Sequence, residues 1–284
     1  MELFRVFLLV VVGLSGDPEH GELFEKWGAS LASTAETLGV APERVLLVGD
    51  QATKVDVEQA IETIATRSTA DDVIFVVLIG HGSFDGRAAK FNLKGPDLGA
   101  TDFAALLRRM PSRHLVFANT TSSSGPFREA LAGPGRTIIT ATRNGAEQYD
   151  TLFPGFFVDA FSSDAADVDK NRRVTVQEAF DYAQREVGLA YEREGLLATE
   201  HSLIDDAGKF AQTFALGTAG ASELPADPKL RALHAERRQL EQRVEALKVL
   251  KGSMDRARYD TEFEGLAISL ALKTREIRQA EAAQ

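Results

Sequence analysis

A histidine held between glycines, Gly80-His81-Gly82, closes an apolar run over residues 73–79. Further on, five consecutive hydroxyl residues, Thr120 to Ser124, close a second apolar run at 114–118 and lead into Gly125-Pro126. Glycine on both sides allows a sharp turn and leaves the imidazole projecting from the end of a strand. A core histidine is the bland alternative, but such a residue seldom sits in a Gly-His-Gly turn. An imidazole beside a hydroxyl is a base beside a nucleophile. With Gly125 and neighbouring N–H groups turned toward an oxyanion, the set has the layout of acyl transfer.

The elements that must bring these groups together are strands of a sheet covered on both faces. Near-continuous runs of Val, Ile, Leu and Phe at 5–12, 44–48, 73–79, 114–118 and 137–141 have that signature. Helical patterns at 21–38, 54–66 and 102–109 alternate with them, and Thr53 with Asp56 supplies a capping box for the second. Alternation of this kind predicts an α/β three-layer sandwich with a mostly parallel sheet, whose chemistry gathers at the carboxyl ends of the strands. The opening MELFRVFLLVVVGLSG looks briefly like a secretory segment. Its first charge is acidic and no small-residue cleavage site follows, so it reads as the first core strand.

Residues 1–218 form this domain, and 219–284 a linker with a C-terminal antiparallel helical hairpin. Apolar residues at Leu230, Leu233, Leu240, Val244, Leu247 and Leu250, then Phe263, Leu266, Leu270 and Ile277, mark two helical stripes around a break at KGSMD. The pair is either a packing appendage or a surface for a protein partner. The 284-residue chain has a net charge of −10; residues 227–284 carry 12 basic and 10 acidic residues, so the acidity lies in the first domain. Nucleic acid and anionic membrane are therefore poor partners. No apolar run has membrane-spanning length, and the absence of cysteine excludes disulfides, thiolate metal sites and a thiol nucleophile. The compartment stays open: extracytoplasmic if a leader preceded Met1, cytoplasmic otherwise.

A strand ending in His-Gly, followed by one ending in a small-residue turn with Ser124-Gly125, resembles the caspase-like fold, and within it the legumain-type (C13) cysteine peptidases and their bacterial homologues. TATRNGAEQYDTLFPGFFVDAF is similar to the family's strand and specificity loop after the nucleophile. DVDKNRRVTVQEAFDYAQREV and LLATEHSLIDD are similar to segments of bacterial members. The resemblance covers roughly residues 5–215. It implies that His81 is the catalytic histidine, that Gly82 and Gly125 line the substrate, and that Glu147 helps form a pocket for a basic or amide side chain. It also implies that Ser122 stands where the family has its cysteine.

That substitution decides the expected activity. A thiol ionises readily beside an imidazolium, whereas a serine hydroxyl needs a base oriented by a third group. Asp85 is the nearest sequence candidate for that group. Three readings stay open: a pseudo-peptidase that binds peptide or a protein partner, a hydrolase working through a Ser122–His81 dyad (or Thr120 or Thr121 in a shifted loop), and a Cys-to-Ser form made to trap a complex. The first is favoured, because the whole loop departs from the family pattern rather than one residue in it.

No cofactor is required by this layout, and calcium is the one metal the sequence suggests. DVDKNRRVTVQE places Asp167, Asp169, Asn171, Thr175 and Glu178 at oxygen-donating positions of an EF-hand loop, with Arg173 offering its carbonyl. Against it, Arg172 stands where glycine is wanted, and Thr175 with Glu178 also reads as a capping box opening a helix over 176–194. His201, Asp205 and Asp206 read as a surface-facing helix end rather than a metal set.

Overall fold

Every residue of the apolar run Val6–Val12 is buried, and this run forms strand β1. Its side chains alternate between two cores, as the period of two along a strand requires: Val6, Leu8, Val10 and Val12 enter one, and Phe7, Leu9 and Val11 the other. Both faces need cover, so helices lie on each. The computed structural model describes residues 5–49, 51–163, 165–217 and 255–281, with positions 229–230, 232–233, 236–237, 240 and 243–244.

Strand β1 pairs in parallel with β2 (Val45–Val48) and β3 (Val73–Ile79). Strand β3 pairs in parallel with β7 (His114–Asn119), and β7 with β8 (Arg136–Thr140). Antiparallel β9 (Leu203–Asp205) closes the edge, giving the order β2-β1-β3-β7-β8-β9. One core takes side chains from helices α1 (Pro18–Thr37), α5 (Phe153–Ala160) and α6 (Val176–Arg193). The other takes them from α2 (Lys54–Arg67), α3 (Ala100–Leu107) and α4 (Gly125–Leu131). This is the expected three-layer sandwich.

The helix starts follow local chemistry. Asp17 caps α1 by accepting from His20 N at 3.0 Å, with Pro18 next to it. Thr53–Asp56 and Thr175–Glu178 are reciprocal capping boxes opening α2 and α6. At the opposite end of the sheet from the glycine turns, the buried Asp72 carboxylate takes Arg5 Nε at 2.9 Å and Arg44 at 3.3 Å.

Four short strands depart from the sequence expectation. A small antiparallel sheet, β4 (Gly82–Phe84), β5 (Ala89–Phe91) and β6 (Leu98–Gly99), follows His81 directly. The expected helix end around His201–Asp206 is instead the strand β9. Its register pairs Asp205 with Ile138, while Asp206 accepts from Thr137 Oγ1 at 2.8 Å and from the N–H groups of Phe210 and Ala211.

The chain divides into two compact units, Met1–Ala219 and Gly220–Gln284. The second contains the C-terminal helix α7 (Arg256–Glu281), opened by Asp255, whose carboxylate accepts from Arg258 N at 3.0 Å. Lys273 on α7 pairs with Glu236 at 2.6 Å. Most of the first arm of the expected hairpin and its KGSMD break lie outside the described residues.

Candidate functional site

Parallel pairing of β3 with β7 sets Leu78 opposite Asn119, so the two strands end side by side and their loops emerge at one rim. Gly80 turns the first loop in a conformation that favours glycine (φ +149°), and it lies against Gly13 at the end of β1. His81 and Ser122 both line one cavity of about 340 Å³, within the range of small-ligand sites. Phe24 and Trp27 of α1 and Phe156 of α5 give it an aromatic wall.

The two residues share the cavity without bonding to each other. His81 Nε2 lies 2.9 Å from the carbonyl oxygen of Ser15, and Nδ1 lies 3.2 Å from Asp150 Oδ1. The Ser122 hydroxyl donates to Gly82 O at 3.1 Å and accepts from Gly82 N at 3.3 Å. Two chain segments approach so closely here that a Cβ on Gly82 would collide with the Ser122 carbonyl.

The rest of the hydroxyl run is a fastening. Thr120 Oγ1 donates to Leu78 O at 2.7 Å, Thr121 Oγ1 to Asn119 Oδ1 at 2.8 Å, and Ser123 Oγ to Gly145 O at 3.0 Å. Ser124 Oγ accepts from Thr142 N at 3.1 Å. All five residues are buried, and each side-chain oxygen has a partner, as burial of a polar group requires. Ser123 holds a left-handed conformation (φ +54°), fixed by its N–H on Glu147 O at 2.8 Å. Thr120 and Thr121 are therefore tied into the interior and are not placed to attack a substrate.

Gly125 begins α4, and its N–H donates to Thr142 Oγ1 at 3.0 Å, so that group does not face an oxyanion here. A Cβ at Gly125 would run into the backbone of Arg143 and Asn144. Glu147 is not on the cavity wall. Its carboxylate is enclosed by Arg143 Nε at 3.0 Å and His201 Nδ1 at 2.8 Å, and accepts from the N–H groups of both residues. Asp85 is spent on its own turn, accepting from Arg87 N and Ala88 N, each at 2.9 Å.

Asp150, rather than Asp85, is the carboxylate beside His81. It lies in the loop before α5, and nothing in its surroundings in the sequence marks it. Thr151 Oγ1, donating to Thr120 O at 2.8 Å, ties this loop to the end of β7. Glu200 holds it from below, accepting from Leu152 N at 2.7 Å and Phe153 N at 3.1 Å. Burial pushes the Glu200 carboxyl up despite those two donors.

His20 is a second residue that sequence reasoning missed. Its ring sits 4.9 Å from that of His81, its Nε2 lies 3.5 Å from Asp150 Oδ2, and its Nδ1 is 2.7 Å from Asp17. The hydrogen bond to Asp17 raises its basicity. The pattern Asp17-x-x-His20 at a helix start was the available signal.

In the 167–178 loop the oxygen-bearing side chains turn inward on the loop's own N–H groups. Asp167, 8% exposed, accepts from Asn171 N at 3.0 Å and Arg172 N at 2.8 Å. Arg172 takes the left-handed conformation (φ +65°) that glycine usually supplies. Asn171 Oδ1 accepts from Arg173 N at 2.8 Å. Asp169 accepts from the Asn171 side chain at 2.8 Å, and the Thr175 hydroxyl donates to Glu178 at 2.9 Å as part of the helix cap. Oxygens of Asp167, Asp169 and Glu178 lie within 4.8 Å of one another.

Comparison with known proteins gives a family. The model of the Peptidase C13 family matches residues 35–205, a span containing His81, Ser122 and Asp150 but not Asp17 or His20. No curated protein matches the chain. Among solved structures, protein GSU0716 from Geobacter sulfurreducens is similar, with a TM-score of 0.48 and 14% identity over 79% of this chain and 98% of that one. Among the described residues, no helix is long and apolar enough to cross a membrane.

Proposed function

We propose, since the chain belongs to the peptidase C13 family, that this member is a pseudo-peptidase: it keeps the caspase-like frame and cleft, and binds peptide or a protein partner without efficient cleavage. One observation carries the reading. The imidazole of His81 is engaged on both nitrogens, by Ser15 O and Asp150, while the Ser122 hydroxyl is engaged by Gly82. In this arrangement the base does not touch the hydroxyl, and a serine without a base on its proton is a weak nucleophile. Serine in place of a thiol removes the alternative of a ready thiolate.

The test is Ser122→Cys. A peptide panel should show no turnover with the wild-type protein and clear turnover with the Cys variant, lost again in His81→Ala. A Cys variant as inert as wild type would argue that the cleft itself has been lost.

A working Ser122–His81 hydrolase is the second reading, and Asp150 favours it by standing where a triad orients its histidine. It requires His81 Nε2 to leave Ser15 O and face Ser122. For the 167–178 loop, calcium is a proposed structural ligand, tested by calorimetry of wild type against Glu178→Gln. Partner binding through the C-terminal segment is likewise a proposal, supported by Ile268 and Leu272 of α7, which are 54% and 45% exposed.

A further inference from the structure

We propose that His20, His81 and Asp150 form a binding site for a single divalent transition-metal ion of the zinc class, in the wall of the cavity. Three separate elements supply the donors: the first turn of α1, the turn after β3 and the loop before α5. Asp150 presents one oxygen to each histidine, at 3.2 Å from His81 Nδ1 and 3.5 Å from His20 Nε2. Donor atoms of the three residues all lie within 4.8 Å of one another. Ligands about 2.0–2.1 Å from a tetrahedral zinc ion stand about 3.3 Å apart. Each histidine already stands at about that separation from its own Asp150 oxygen, and the remaining separations lie within 4.8 Å, so a small side-chain adjustment closes the set on one ion.

The outer hydrogen bonds make the case stronger than the triangle alone. Each histidine has its other nitrogen on an acceptor: His20 Nδ1 on the Asp17 carboxylate at 2.7 Å, and His81 Nε2 on the Ser15 carbonyl at 2.9 Å. Both acceptors take an N–H on that outer side, so in the neutral ring the inner nitrogen carries the lone pair and faces Asp150, free for a metal to take the place of a proton there. Three donor groups then converge within 4.8 Å. A carboxylate or carbonyl behind each imidazole is the arrangement that orients metal-bound histidines. Two imidazoles and a carboxylate suit zinc and its neighbours better than calcium or magnesium, which prefer oxygen alone. The chain has no cysteine, so no thiolate site competes for such an ion.

The family match begins at residue 35, after Asp17 and His20. The metal site therefore draws half of its inner and outer side chains from outside the matched segment. It is independent of the pseudo-peptidase reading, because binding a metal requires neither a working nor a lost nucleophile.

Protons alone would also bridge these groups, and a titration separates the two cases. Full-length protein, stripped with chelator and dialysed, is titrated with Zn²⁺ by calorimetry beside Asp17→Asn, His20→Ala, Asp150→Asn and Asp167→Asn. Wild type should take up a single equivalent with micromolar or tighter Kd. Asp17→Asn, which keeps a capping side chain at the start of α1 but weakens the acceptor behind His20, should weaken binding by about 10–100-fold, and His20→Ala and Asp150→Asn by at least as much. Asp167→Asn should leave it unchanged. Asp150 is 65% exposed, so Asp150→Asn keeps the test open if His20→Ala does not fold. Absence of wild-type binding, equal affinity in Asp150→Asn, or loss in Asp167→Asn instead would overturn the proposal.

Discussion

His81 and Ser122 line the same cavity, yet the imidazole bonds to Ser15 O at 2.9 Å and the hydroxyl to Gly82 O at 3.1 Å, each turned to a different partner. The fold brings the base and the alcohol to one rim and then spends both on local fastening. A thiol ionises before it attacks, so on the proposed reading a sulfur nucleophile would work in this arrangement where an oxygen one would not.

The contact between Gly82 and Ser122 should tolerate no side chain. Gly82→Ala would push a methyl group into the Ser122 carbonyl, at a cost of about 1–3 kcal/mol. Denaturant unfolding should show that loss, and peptide affinity should fall with it, since both His81 and Ser122 move when the contact opens.

Asp72 should control acid stability. Burial acts to raise its carboxyl, but the Thr69 N–H and hydroxyl with Arg5 and Arg44 overcome this and hold it below the ordinary value of 3.8. A lowered carboxyl stabilises the fold above its unfolded pKa, and this contribution drains away as pH falls through the lower, folded value. Asp72→Ala should therefore lose about 2–4 kcal/mol at neutral pH. The gap from wild type in urea melts should narrow below pH 3.8.

Glu200 should act in the opposite sense. Its carboxyl is raised by burial, so its contribution favours the fold below the ordinary value of 4.5 and is lost as pH rises through the raised folded value. Measured against Glu200→Gln across that range, wild-type stability should decline relative to the variant with rising pH. A flat difference would mean the Leu152 and Phe153 N–H bonds fully offset the burial.

The 167–178 loop should depend on Asp167 whether or not calcium binds. Its nearly buried carboxylate holds the N–H groups of Asn171 and Arg172. Asp167→Ala should lower stability by about 1–3 kcal/mol, read from thermal or urea melts in chelator.

Much of this was legible in the sequence where burial imposes a pattern. Strands β1 and β3 announce themselves because both faces are covered, which forces unbroken apolar runs at Val6–Val12 and Val73–Ile79. The juxtaposition of His81 with Ser122 follows from placing β3 beside β7. The strands β4, β5, β6 and β9 are three residues or fewer and carry no readable period. Asp150 was hidden for another reason: an exposed carboxylate in a loop gains meaning only when other elements meet it in space, and Asp17-x-x-His20 marks a helix start without telling that His20 will meet His81. Rotamers were equally out of reach, and they decide that the imidazole faces Ser15 rather than Ser122.

Peptide turnover by the wild-type protein, compared with Ser122→Ala over a broad substrate panel, tests the central claim most directly. The account predicts that the two are indistinguishable, both at the level of the uncatalysed reaction, because the hydroxyl has no base. Wild-type cleavage that disappears in Ser122→Ala and again in His81→Ala would contradict it.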